Sequence, residues 1–217
     1  GNPFLDLCLW KGRFPSTRRR FCSEELKHHP IDAKMDKFLV EYDQVYSWQG
    51  VRRDESRQRF HLVEEEDHPA KQGLTWYRPI LEWTAEDCFA MHKKHNVDPN
   101  PLYSQGMGRV GCMPCIHATK KEFFEIARRF PEEIARIAEW EEIVSQAAKR
   151  DMSTFMDARV TANGGFEKQD YDDINLKDNG IQAYAEYAKT SHGGRQYDLI
   201  KTTEEIPMCT SIYGLCE

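Results

Sequence analysis

The 217-residue chain is 40% hydrophobic and 12% aromatic, a composition that can bury a substantial core and excludes a disordered chain. Its apolar runs are only a few residues long, and its first residues lack the basic and apolar regions of a secretory signal. We therefore expect a cytoplasmic protein with no membrane partner. The net charge of -6 disfavours general adhesion to nucleic acid.

The charge is unevenly distributed along the chain. Residues 1–60 contain 12 Lys+Arg and 9 Asp+Glu, a balance of +3, so the remaining residues carry -9. An anion-binding site is therefore expected early in the chain. The first residues, Gly1-Asn2-Pro3, read as a loop without an initiator methionine, which we interpret as a processed or truncated start.

The first half of the chain predicts a helix, two strands and a second helix. After an early loop, Ser23 is expected to cap a helix with acidic residues in its first turn. Residues 38–48 mix β-branched and aromatic side chains and predict a buried strand, and its loop after Gly50 lies where α/β sheets place ligands. Residues 76–80 predict a short second strand. Thr84 and Asp87 have the spacing of a capping box and predict a helix to about His95.

A loop over residues 96–111 then leads to a cysteine pair and a helical second half. Residues 120–150 have helical periodicity, and Pro131 marks a break or a first-turn position, so we predict a helical hairpin. A short helix is expected at residues 181–189, between glycine turn signals at residues 163–165 and 193–194.

The seven cysteines are the residues with the clearest chemical potential. Without an export signal they are better interpreted as thiols or metal ligands than as disulfides. Cys112-x-x-Cys115 can direct two thiols at one metal, and other cysteines can complete a four-thiolate set: Cys22, Cys209 and Cys216. A redox pair is an alternative, and the spacing alone does not distinguish zinc from an iron–sulfur cluster.

The other two cysteines have a structural interpretation. Cys8 and Cys88 lie among apolar residues, and we expect both to be small buried hydrophobic side chains.

Three segments resemble, in order, segments of the phosphoadenosine/adenosine phosphosulfate reductase family, which belongs to the PP-loop ATP pyrophosphatase superfamily. They cover roughly residues 15–120. The segments are Cys22-Ser23-x-x-Leu26-Lys27-x-x-Pro30, Gly50-Val51-Arg52-Arg53-x-Glu55-Ser56 and Asn100-Pro101-Leu102-Tyr103-x-x-Gly106-x-x-x-x-Gly111-Cys112-x-Pro114-Cys115.

The resemblance implies an iron–sulfur protein that binds an adenine nucleotide. The implied ligands of a [4Fe-4S] cluster are Cys22, Cys112 and Cys115. The implied nucleotide-binding residues, whose cations would face the phosphate or sulfate, are Lys27, Arg52, Arg53, Glu55 and Ser56.

The resemblance also implies an α/β fold of the adenine-nucleotide alpha-hydrolase-like, Rossmann-like type. We expect its parallel sheet to be incomplete at the N-terminal side and to be followed by a helical C-terminal region. The expected division is residues 1–120, with the nucleotide-binding part and the cysteine motif, and residues 121–217, with the helices and a cysteine-bearing tail. Both parts are expected to pack as one unit.

The chain departs from the family at two cysteine positions. Cluster-bearing reductases have two adjacent cysteines upstream, whereas Phe21 precedes Cys22 here. The family's nucleophilic Glu-Cys-Gly-Leu-His string is also absent from the sequence. We expect Cys209 or Cys216 to be the fourth ligand, and we assign Cys209 to the metal and Cys216 to catalysis.

A third departure concerns phosphate binding. The family's Ser-Gly-Gly-Lys-Asp-Ser-like loop does not occur in the 217 residues. We therefore expect a second polypeptide, or an N-terminal segment missing from this chain, to carry that loop.

The leading hypothesis is a reductase-like enzyme in which a tail thiolate attacks the sulfur of an adenylylated donor while the cluster tunes the local electrostatics. One alternative is an ATP-dependent sulfurtransferase subunit of the DNA phosphorothioation type, in which the arginines at positions 18–20 contact nucleic acid. Another is a non-catalytic binding module stabilised by its metal.

Overall fold

A computed structural model describes residues 1–161, 165–166, 171–191 and 196–197. These residues form a mixed α/β structure that divides into two compact units. The terminal unit consists of Gly1–Ser23 and Asn100–Glu217, and the central unit consists of Glu24–Pro99. This division does not follow the predicted boundary after residue 120. None of the described helices is long and apolar enough to span a membrane.

In chain order, the described elements are α1 (Pro3–Lys11), α2 (Phe21–Ser23), a π-helical segment (Glu24–His28), α3 (His29–Glu41), β1 (Val45–Trp48), two 3₁₀ turns (Arg53–Glu55 and Arg57–His61), β2 (Glu65–Asp67), β3 (Leu74–Tyr77), α4 (Ala85–Lys94), α5 (Lys120–Arg129), α6 (Pro131–Ala147), β4 (Val160–Thr161), β5 (Gly165–Phe166), a third 3₁₀ turn (Tyr171–Asp173), α7 (Leu176–Asn179), α8 (Ile181–Ala188), β6 (Thr190–Ser191) and β7 (Gln196–Tyr197).

Helix α1 replaces the early loop that we predicted. Its N-terminus is capped by Asn2, whose Oδ1 accepts hydrogen bonds from the backbone N–H groups of Phe4 and Leu5 at 3.0 and 3.4 Å. Pro3 occupies the first turn, and Gly12 ends the helix with a left-handed φ of 61°. These are ordinary helix signals, so the prediction of a loop was wrong for a reason that the sequence already contained.

The terminal unit has a helical core. Helix α6 packs against α1, α5 and α8. Phe123, Ile137 and Ile181 are fully buried between these helices, and the Phe14 and Phe155 rings meet edge to face at 5.5 Å. Because α1 belongs to this core, the first residues join the C-terminal helices, which is why the predicted boundary and the observed division differ.

The central unit is built on a three-stranded sheet of order β1-β3-β2. Strands β1 and β3 are parallel, with Val45 opposite Leu74, whereas β2 is antiparallel to β3. The strand predicted at residues 38–48 was too long, because α3 continues to Glu41 and β1 begins only at Val45. Strand β2 lies in the acidic stretch where we predicted turns.

Arg78 is the polar centre of the central unit. It is 3% exposed. Its guanidinium donates to Gln49 Oε1 at 3.0 Å and to the Val63 carbonyl at 2.8 Å, and it pairs with Glu66 at 2.9 Å. These bonds join the residues around β1, β2 and β3, and they satisfy a charge that would otherwise be costly to bury.

The other predicted helices are confirmed. Thr84 and Asp87 form the predicted capping box at the start of α4. Residues 120–147 form two helices separated at Phe130, with Pro131 in the first turn of α6. Helix α8 lies at the position predicted for a short helix.

Candidate cysteine centre

Cys22 lies in α2, on a short segment anchored to the core of the terminal unit. Its neighbour Phe21 is buried in that core, and the Arg13 guanidinium lies over the Phe21 ring at 5.9 Å from its centroid. The Ser23 backbone N–H donates to the Arg20 carbonyl at 2.9 Å. The buried Phe21 therefore fixes the position of a half-buried thiol.

The second cysteine segment is a loop held at both ends. At its start, Asn100 Oδ1 accepts a hydrogen bond from the Leu102 N–H at 3.0 Å, and the buried Met107 donates its N–H to the Leu102 carbonyl at 3.1 Å. At its end, Thr119 and Glu122 form a capping box that starts α5. The Cys112–Cys115 turn lies between these two anchors.

The turn itself is tied to α6. An Arg136 Nη2 hydrogen donates to the Met113 carbonyl at 3.4 Å, and Pro114 is buried after a cis peptide bond. Cys112 is exposed and Cys115 is half-buried. Both thiols line one small pocket.

Electrostatics shows that Cys22 lies near this turn. Burial raises the pKa of the Cys22 thiol, and hydrogen bonding to Ser23 lowers it. The proximity of Cys112 and Cys115 raises the pKa of Cys22 further. Two segments about ninety positions apart in the sequence thus bring three thiols into one region of one unit, as the resemblance implied.

The chemistry of these three thiols is suited to a thiophilic metal centre. All three are free thiols, and a bound cation would offset the repulsion between neighbouring thiolates. Over the described ranges, however, no group of three or more Cys, His, Asp or Glu side chains is arranged so that it could hold a metal ion. Cys209 and Cys216, the predicted metal ligand and nucleophile, lie outside the described residues.

Cys8 is a further thiol in this region, and sequence reasoning gave it only a structural role. It is fully buried in α1, as predicted. Burial raises the pKa of Cys8 to about 12, and the nearby Cys22 adds to that increase. The thiol is therefore protonated at neutral pH.

His117 is a residue of the pocket that the sequence did not single out. It lines the pocket together with Cys112, Cys115 and Arg109. Its buried Nε2 has no hydrogen-bond partner among the described residues. Burial lowers the pKa of His117, and the cations of Arg20 and Arg109 lower it further. Its only signal in the sequence was its position two residues after Cys115.

The predicted nucleotide-binding arginines lie in the central unit, in the loop after β1. Arg52 pairs with Asp54 at 2.8 Å and with Glu55 at 3.7 Å. The Arg53 guanidinium donates to the Leu62 carbonyl at 2.8 and 3.3 Å and forms an ion pair with Glu82. Arg53 therefore fastens its own loop, a structural role that the sequence did not reveal.

The remaining predicted residues of that site are more exposed. Lys27 is exposed in the π-helical segment, and Ser56 is exposed between the two 3₁₀ turns. Glu55 forms an ion pair with Arg59 and accepts a hydrogen bond from the Arg52 N–H at 3.5 Å. Cys88, predicted to be a buried hydrophobic side chain, is half-buried in α4. Nucleotide contact by these residues stays a prediction.

A mixed α/β protein with converging cysteines is the class that the fold and this centre define. Residues 13–118 match the family profile described as the phosphoadenosine phosphosulfate reductase domain. These residues include Cys22, Arg52 and the Cys112–Cys115 turn. The chain belongs to that family.

Curated relatives extend this result. The chain is 51% identical, over its whole length, to an uncharacterized 37.8 kDa protein of Escherichia phage 186. It is 34% identical over 51% of its length to an adenosine 5'-phosphosulfate reductase of Neisseria meningitidis. An uncharacterized protein of Methanocaldococcus jannaschii is 31% identical over 57% of the chain.

These relatives are longer than the matched region. The chain covers 65% of the phage protein, 44% of the Neisseria reductase and 29% of the Methanocaldococcus protein. No solved structure matches the chain.

Proposed function

We propose that this chain is part of an iron–sulfur, sulfonucleotide reductase-like enzyme that acts on an adenylylated sulfur donor. The observation that carries the proposal is the convergence of Cys22 with Cys112 and Cys115 in one unit, within a segment that matches the reductase family. The same family name is printed for the Neisseria relative, which supports the substrate class.

The proposed cofactor is a [4Fe-4S] cluster, with zinc as the alternative. Cys22, Cys112 and Cys115 would hold it, with Cys209 as the proposed fourth ligand. When bound, such a cluster supplies a compact metal centre that tunes the electrostatics around it. The chain's own contribution is to hold the ligating turn between its Asn100 and Thr119 anchors.

The proposed nucleotide contacts come from the central unit. Lys27, Arg52 and Arg53 would bind the phosphate or sulfate groups, since guanidinium forks suit tetrahedral oxyanions. The arginines have internal carboxylate partners, Asp54 for Arg52 and Glu82 for Arg53. An incoming anion would therefore exchange with a carboxylate rather than fill a vacant cationic site.

The proposed reaction is nucleophilic attack by the Cys216 thiolate on the donor sulfur. A new S–S bond forms, and the S–O bond to the nucleotide breaks, with its electron pair leaving on the nucleotide phosphate oxygen. A thiol reductant would then release the sulfur group from Cys216. We further propose that the phosphate loop comes from a polypeptide segment outside these 217 residues.

The first experiment is metal and sulfide analysis of anaerobically purified protein. We expect a brown protein with about four iron and four sulfide per chain. Cys112→Ser should lose the cluster. Cys88→Ser is the matched control and should keep it, because Cys88 lies in α4 of the central unit, away from the cysteine turn.

Three further variants separate the roles of the remaining cysteines. Cys209→Ser should reduce the iron content, whereas Cys216→Ser should keep the iron and lose turnover of an adenylylated sulfur donor. Cys8→Ala tests the additional thiol near Cys22. A colourless protein with about one zinc per chain would contradict the iron–sulfur proposal. Full iron retention by Cys112→Ser would remove Cys112 from the ligand set.

A further inference from the structure

The central unit exposes an unusual amount of apolar surface. Eleven large hydrophobic side chains are exposed in the described part of the chain, and nine of them lie in this unit of 76 residues. They are Leu26, Ile31, Val40, Tyr42, Tyr46, Trp48, Phe60, Val63 and Val97. Such a concentration marks a surface that another polypeptide covers.

Two of these residues lie on the edge strand of the sheet. Tyr46 and Trp48 are 52% and 73% exposed, and they alternate along β1 with the half-buried Val45 and Ser47. Alternation places Tyr46 and Trp48 on one face of the sheet. The Trp48 ring extends this face by meeting the Tyr77 ring edge to face at 5.2 Å.

The backbone of β1 is available along its outer side. Among the described strands, β1 pairs with β3 alone and forms the end of the sheet. The Val45 and Gln49 N–H groups donate to carbonyls of Gly73 and Tyr77 at 2.8 Å. The alternate backbone groups, at Tyr46 and Trp48, therefore point away from β3, towards the open side.

The parallel pairing identifies the kind of partner. Parallel strands are normally buried on both faces, because the crossover connections between them place helices there. One face of β1 and its outer edge lack this cover. We name this region, formed by Tyr46, Trp48 and the outer edge of β1, the β1 surface.

We propose that the β1 surface docks a strand–helix segment from outside these 217 residues, whose strand pairs in parallel with β1 and whose apolar helix face covers Tyr46 and Trp48. The phage 186 relative supports the existence of such a segment in this family, because 35% of its length lies outside the region that the chain matches. The inference deepens the proposed function, since it names the surface that would receive the segment with the phosphate loop.

The test measures association, not iron or turnover, so its failure is distinguishable from failure of the proposed function. The probe is the part of the phage 186 protein that lies outside the matched region, co-expressed as a separate tagged polypeptide with the full 217-residue chain. We expect the two to co-purify as a 1:1 complex. In titrations, Trp48→Lys should weaken the association at least about tenfold, because a large aromatic side chain at an interface centre carries much of its binding energy.

Trp10→Lys is the matched control. Trp10 is 72% exposed, almost the same as Trp48, but it belongs to the terminal unit. This variant should bind like the wild type, and circular dichroism melts should show that both variants stay folded. If Trp48→Lys fails to fold, Tyr46→Lys takes its place.

Three results would overturn the proposal. The first is no association between the two polypeptides, and the second is association that both Trp48→Lys and Tyr46→Lys leave intact. The third is self-association of the 217-residue chain that Trp48→Lys abolishes in sedimentation experiments, because a second copy would then occupy the β1 surface.

Discussion

Glu141 is a buried carboxyl group in α6 whose ionisation we expect to make the terminal unit's stability depend on pH. It is 2% exposed. Its Oε1 accepts a hydrogen bond from the Phe155 N–H at 2.7 Å, and its Oε2 accepts one from the Ile181 N–H at 2.8 Å. Burial raises the pKa of Glu141 to about 7, although both hydrogen bonds act to lower it.

The direction of the pH effect follows from this pKa. An unfolded Glu has a pKa near 4.5, so between about pH 4.5 and 7 the folded state binds more protons than the unfolded state. The free energy of unfolding is therefore highest below about pH 4.5 and falls as the pH rises through 7. A difference of one pH unit between the two pKa values is worth about 1.4 kcal/mol, so the fall amounts to about 3 kcal/mol.

Glu141→Gln is the perturbation that tests this reasoning. The amide offers one acceptor oxygen, so its NH₂ group must face either the Phe155 or the Ile181 N–H. We expect the variant to be less stable than the wild type at pH 5 by about 1–3 kcal/mol. The deficit should narrow by up to about 3 kcal/mol by pH 8, because only the wild type then buries a charge.

Urea unfolding followed by far-UV circular dichroism at pH 5, 6, 7 and 8 measures both effects. Glu139→Gln, at an exposed position of the same helix, is the control and should give a pH profile parallel to that of the wild type. A stability difference between Glu141→Gln and the wild type that stays constant from pH 5 to 8, or widens, would refute the assignment of the pH dependence to Glu141.

Two further predictions concern the central unit, and urea unfolding followed by tryptophan fluorescence measures both. Arg78→Met should destabilise the unit by about 2–4 kcal/mol, because it leaves Gln49 and the Val63 carbonyl without their donor, whereas the same change at the exposed Arg57 should have little effect. Gly73→Ala should cost about 1–3 kcal/mol, since its φ is +82° and a Cβ would lie 2.6 Å from the Asp43 carbonyl oxygen. Gly50→Ala meets no atom within 4 Å and should be tolerated; equal costs at the two glycines would contradict this explanation.

Helix boundaries were the features that the sequence predicted best. The Thr84 capping box and the first-turn position of Pro131 appear as predicted, because a cap depends on residues only three positions apart. The loop that carries Cys112 and Cys115 was predictable for a similar local reason.

Strands and unit boundaries were predicted less well because they depend on distant partners. Residues 38–41 have side chains compatible with a strand, yet they complete α3, while the acidic β2 pairs with β3 and is held through Glu66 by Arg78. Neither outcome can be read from a local window. The packing of α1 on α6 likewise joins segments at opposite ends of the chain.

The sequence by itself determined the identity of the reactive groups, since the order and spacing of Cys22, the Arg52-Arg53 string and the Cys112–Cys115 turn indicated the family. Only the tertiary structure decided what surrounds them. It brought Cys22 near Cys112 and Cys115, placed Cys8 and His117 in the same region, and gave Arg53 a carbonyl and a carboxylate partner within its own unit. The physical reason is that ligand chemistry belongs to each residue type, whereas proximity, burial and charge pairing arise only when segments distant in sequence pack together.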